Sequence, residues 1–74
     1  SSNDRPRHEM LSDREFQVLQ FISAGKTTTE IAETLSLSVK TISTYRARML
    51  EKMGLKTNAD VIHYAVRNRL IFSK

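Results

Sequence analysis

The chain has no cysteine and no tryptophan, one proline, Pro6, and two glycines, Gly25 and Gly54, in 74 residues. Without cysteine it can make neither a disulfide nor a thiolate metal site, and the redox compartment is left open. Its two histidines, His8 and His63, stand apart from any carboxylate pair at metal-ligand spacing. No base is placed near any of the many hydroxyls, so neither a metal, a cofactor nor a catalytic site is expected. No apolar run approaches the roughly 20 residues that a membrane-spanning helix needs, and no charged start leads into an apolar stretch as in a signal peptide. A soluble chain is expected. Strand-like alternation, low-complexity tracts and internal repeats are also missing.

What is there suffices for one domain. A domain of this size buries only about 60% of the surface its unfolded chain exposes, so its stability is expected to be marginal and open to reinforcement by a partner or a second copy. The formal charge is +4 and the isoelectric point near 9.9, which favours a polyanionic partner. That excess is concentrated: Lys40, Arg46, Arg48, Lys52 and Lys56 face only Glu51 between positions 40 and 56.

Four helices can be read from caps and apolar spacing. Ser1 to Glu9 is polar, charged and without apolar period, so residues 1–10 are predicted to be a linker and 11–74 the domain. Ser12 with Glu15, Thr27 with Glu30, and Thr57 with Asp60 each have the spacing of a capping box, in which two side chains satisfy free backbone amides at a helix start. They predict a first helix to about Ala24, stopped by Gly25; a second, short helix to about Leu35; and a fourth over about 58–68. Ser36-Leu37-Ser38 turns the chain into a third helix, Val39 to Met53, closed by Gly54. Leu11, Val18, Leu19 and Ile22 form the inner stripe of the first helix, with Phe21 at its edge and Phe16 opposite. The fold class is all-α, a compact four-helix domain.

The second and third helices, about 28–47, have the outline of a helix-turn-helix. Apolar residues fall at Ile31, Leu35, Leu37, Ile42 and Tyr45, with Ala32 where two steeply crossing helices need a close approach. With Ile42 at 0° and 100° per residue, Lys40, Ser43, Thr44, Ala47 and Glu51 cluster between about 100° and 200°, opposite the core stripe. Ser43 and Thr44 are short hydrogen-bonding residues, Ala47 lets a helix sit deep in a major groove, and Lys40 and Arg48 reach phosphates from its shoulders. A polar helical face is ordinarily just solvated, but Ser and Thr weaken the helix without helping packing, which favours a face in use. Thr28 and Thr29 open the second helix, where unpaired amides attract a phosphate oxygen, whereas Thr27 is explained as a cap. Arg46 lies only about 40° from Ile42, so its stem packs and its head snorkels to a phosphate or a carboxylate.

Leu11-Ser12-Asp13-Arg14-Glu15, Gly25 with Glu30-Ile31-Ala32, Leu37-Ser38-Val39-Lys40-Thr41-Ile42, and Lys52-Met53-Gly54 ahead of Thr57 together resemble the LuxR/NarL-type DNA-binding domain. This is the C-terminal effector domain of bacterial transcription regulators, including many response regulators, and the likeness covers Leu11 to about Ile71. The resemblance implies sequence-specific binding of double-stranded DNA, with the third helix in the major groove and a homodimer on a two-fold operator. By this resemblance Ser43, Thr44 and Ala47 approach bases, while Lys40, Thr41, Arg48 and Lys56 meet the backbone. Asp60, Val61, Tyr64 and Ala65 are the dimer face it implies, though Val61, Tyr64 and Ala65 also suit the core. It further implies an upstream receiver domain, RNA polymerase as a possible partner, and a cytoplasmic location.

The chain departs from the family pattern at three places. Asp13 replaces a frequent proline and suits a helix N-terminus. Thr28-Thr29 stand where Asn-Lys is frequent, and Ser43-Thr44-Tyr45 replace a common Lys-x-His pattern, so a base-reading lysine is missing. A protein interaction module is the alternative class, but helix-in-groove recognition wants a larger apolar exposed stripe than Ser43, Thr44 and Ala47 offer.

Overall fold

The computed structural model describes residues 7–70. A 3-10 turn, Arg7–Met10, precedes four helices: α1, Asp13–Ser23; α2, Thr28–Leu35; α3, Val39–Met53; and α4, Asn58–Arg67. No strand occurs among the described residues, and the fold is all-α as expected.

Local chemistry starts each helix. Ser12, Thr27 and Thr57 are extended, each accepting the backbone N–H three residues on, while Glu15, Glu30 and Asp60 reach back to the N–H of the cap. Two amides that the helix leaves free are thereby satisfied at each start. α3 is capped differently: Ser38 Oγ accepts the Thr41 N–H at 3.1 Å and donates to Thr41 Oγ1 at 2.8 Å.

All four helices also stop in one manner. The Lys26, Leu37, Leu55 and Leu70 N–H groups donate to Phe21, Ala32, Leu50 and Ala65 carbonyls at 3.0, 2.9, 3.0 and 2.8 Å. Each closure reverses the chain through one left-handed residue: Gly25, Ser36, Gly54 or Arg69. The glycines marked two of these stops in the sequence. Ser36 and Arg69, at φ 58° and 57°, carry a Cβ that disfavours this conformation, so composition did not announce them.

The core joins Val18, Leu19 and Ile22 of α1, Ile31 and Ala32 of α2, Ile42, Met49, Leu50 and Met53 of α3, and Val61 and Ala65 of α4. α3 packs on both α1 and α2, and α1 on α4, so one face of α3 is used up inside and the other is left outward. Leu50 belongs to this core although the third helix's expected inner side was Ile42, Tyr45, Arg46, Met49 and Met53. α3 packs against two helices, α1 and α2, which widens its buried arc.

The expected linker is folded in part. Arg7 Nη1 donates to the Met53 carbonyl at 2.8 Å, and His8 meets the Tyr64 hydroxyl through its backbone N–H, at 3.3 Å, and its Nδ1, at 3.1 Å. The His8 ring also stacks on Phe16 with centroids 5.9 Å apart, which half-covers a residue expected on the outer side of α1. A cation at the last carbonyls of α3 answers the negative end of that helix. Linker residues 1–6 lie outside the described residues, as do 71–74.

Candidate nucleic-acid interface

The outward side of α3 carries the residues expected there. Ser43, Thr44, Ala47, Lys40 and Arg48 are exposed, and Glu51 ends the same arc. Thr44 Oγ1 donates to the Lys40 carbonyl at 3.1 Å, which engages its proton and leaves the oxygen lone pairs and methyl group facing outward. Thr44 is therefore an acceptor and an apolar contact, whereas the Ser43 hydroxyl remains able to donate or accept. Thr41 is half-buried with its hydroxyl bound by Ser38, so it holds the start of α3 in place at the rim of this face.

The cations divide into two groups. Lys40, Arg48 and Lys56 are exposed, and none has an ion-pair partner among the described residues. Lys52 is different, because its Nζ lies 2.7 Å from Glu15 Oε1 of α1. Its charge is spent on closing the α1–α3 contact. Glu15 was expected only as a cap, yet its side chain is 4% exposed. Burial pushes its carboxyl up, but hydrogen bonds from Lys52 and the Ser12 N–H, with the Lys52 charge, outweigh burial and leave it below its ordinary 4.5.

Arg46 pairs with no carboxylate among the described residues: its Nε donates to Asn58 Oδ1, at the first turn of α4, at 2.9 Å. Beside this pair an open groove of about 450 Å³ runs between the starts of α2 and α4 and one side of α3. Thr28 and Ser43, both expected at the interface, line it together with Lys26, Arg46 and Asn58. Thr29 is exposed next to Thr28. The sequence hinted at this groove only through Arg46, whose angle lay between core and surface. Asn58 gave no signal, because its partner lies on another helix.

Of the four residues of the implied dimer face, two take the core role that was open to them. Val61 and Ala65 are 0% exposed, so their side chains face α1 and the core rather than a partner. Asp60 is half-buried and accepts the Lys56 and Thr57 N–H groups at 3.2 Å each. Those bonds, the Lys56 one first, hold its carboxyl below its ordinary value. Tyr64 is half-buried against His8. At 100° per residue, the exposed residues Ala59, His63 and Val66 make the outward face of α4, with Val66 57% exposed.

A short helix, a tight turn and a longer helix with a small-residue polar face and cations unpaired among the described residues define a helix-turn-helix DNA-binding domain. The family model described as "Bacterial regulatory proteins, luxR family" matches residues 9–65, and the chain belongs to that family. It is 44% identical to a putative transcriptional regulator of Pseudomonas aeruginosa over 93% of its own length and 33% of the relative's. It is 36% identical to the DNA-binding transcriptional activator EvgA of Escherichia coli, over 93% of this chain and 34% of EvgA. It is 34% identical to the oxygen regulatory protein NreC of Staphylococcus aureus, over 96% of this chain and 33% of NreC. The chain thus spans about a third of the length of the curated relatives it matches. Membership makes it a DNA-binding module of transcription regulation and not an enzyme. No helix among the described residues is long and apolar enough to cross a membrane.

Proposed function

We propose that the chain reads duplex DNA sequence-specifically, with α3 lying in the major groove. Ser43, Thr44 and Ala47 approach base edges; Lys40, Thr41, Arg48, Lys56 and the Thr28-Thr29 start of α2 engage the backbone. The observation that carries this reading is the exposed arc of small residues on α3 flanked by cations that no carboxylate among the described residues neutralises. Such an arc lets a helix approach bases closely, and free cations release counterions from the phosphates. Two copies bind a two-fold operator through the outward face of α4. An upstream receiver domain governs when they do so, in the cytoplasm, and RNA polymerase is the partner contacted at the promoter.

The test is a titration of a duplex recovered by selection from a random pool, at two salt concentrations. Lys40→Ala is expected to weaken binding to every sequence and to lower the salt slope by about 1, whereas Thr44→Ala changes the ranking of operator variants. If neither substitution alters binding, the assigned face is wrong. Selected sequences with paired half-sites support the two-fold arrangement, and a lone half-site removes it.

A further inference from the structure

We infer that the groove between the starts of α2 and α4 seats one phosphodiester of the DNA backbone, with Arg46 as its cation and Asn58 as the residue that positions Arg46. The inference rests on the DNA-binding reading above and adds a contact that the polar arc of α3 does not supply. Arg46 has five N–H donors in a rigid fork. One of them, on Nε, is held by Asn58 Oδ1 at 2.9 Å, and no other group among the described residues pairs with the remaining four. The fork is oriented but not occupied.

The choice of partner is informative. A carboxylate would orient the guanidinium and also neutralise it; the Asn58 amide oxygen orients it and leaves the charge intact. The surroundings suit an anion. Lys26 brings a second cation to the groove, and Ser43 and Thr28 bring hydroxyls. The Thr28 N–H, at the first position of α2, has no backbone acceptor in the helix and lies at its positive end. Ile22 and Ile62 form apolar wall, which lowers the local dielectric and strengthens charge-assisted bonds. Two carboxylates stand near: Glu30 feels the Lys26 charge, and Asp60 follows Asn58 on α4. Both are engaged in capping boxes, accepting the backbone N–H of their caps.

The groove is continuous with the base-facing arc through Ser43, so a strand whose bases lie against α3 runs its backbone past Arg46. Because Asn58 belongs to α4, seating this phosphate also ties the helix proposed for dimer contact to the one that reads DNA.

The test uses the chain with the selected duplex and a set of duplexes in which single phosphates are replaced by uncharged methylphosphonates. Arg46→Met is expected to weaken binding about tenfold and lower the salt slope by about 1. One methylphosphonate position weakens binding of the unaltered chain and has no further effect on Arg46→Met. Asn58→Asp neutralises the fork but suits the first turn of α4, so it weakens DNA binding without lowering the melting temperature. Should Lys40→Ala weaken binding while Arg46→Met and Asn58→Asp leave it unchanged, the groove is no phosphate seat and the DNA-binding reading stands. A raised melting temperature in Asn58→Asp with unaltered DNA affinity makes the pair a purely structural clamp and overturns the proposal. So does an Arg46→Met loss that no single methylphosphonate cancels. If Lys40→Ala also has no effect, the DNA-binding reading fails and the groove fails with it.

Discussion

Glu15 has two tasks that the sequence displayed as one. Its spacing from Ser12 predicted a cap, and the cap is there, but the other partner of the same carboxylate is Lys52, thirty-seven positions away on α3. No local pattern announces a pairing across that separation. Because Glu15 is held below its ordinary 4.5 in the fold, its stabilising contribution is complete above that value and is lost as pH falls through the lower, folded one. Thermal melting followed from about pH 6 to pH 3 should therefore show a steep acid limb that Glu15→Gln flattens. At neutral pH the same substitution is expected to cost about 1–2 kcal/mol, since the buried partner is lost while the half-exposed ammonium returns to water. An acid limb identical in both proteins would show that the pair contributes nothing. Lys52 changes the reading of charge as well: it was counted among the cations of the third helix, and the fold spends it internally.

At the scale of elements, the helix starts were legible because a cap needs only residues three apart. Ser12, Thr27, Ser38 and Thr57 all cap where the sequence placed them. Helix ends were legible where glycine occupies the left-handed position and obscure where it does not. Ser36 and Arg69 hold that conformation because Leu37 and Leu70, the next residues, pack against the core and draw the chain round. Replacing either by glycine removes the Cβ conflict, and each substitution should raise stability by up to about 1 kcal/mol in chemical denaturation. A loss of stability in Ser36→Gly would mean that the serine side chain supports the turn. Neither position belongs to the proposed interface, so DNA affinity should follow only the folded fraction.

The whole molecule decides which face of each helix is free. α4 shows this most clearly, because its apolar residues surround it: Val61 and Ala65 are consumed by the core, and Val66 is left outside. A glutamate at Val66 should leave melting nearly unchanged, within about 0.5 kcal/mol, because an exposed site away from caps and core is tolerant. It should preserve binding to an isolated half-site and weaken binding to a paired operator about tenfold, read by titrating both duplexes. Equal affinity of the two proteins for the paired operator would remove α4 from the dimer contact. The sequence by itself determined the number and starts of the helices, the all-α class, the turn between α2 and α3, and the polar arc of α3, because caps, periodicity and charge are local and act within a few residues. Only the tertiary structure decided that Glu15 takes Lys52 out of the free cations, that Arg7 and His8 join the domain, that Val61 and Ala65 face inward, and that Arg46 meets Asn58 beside a groove. Each of these depends on two elements meeting in space, and pairing across helices is set by how the core is filled rather than by spacing along the chain.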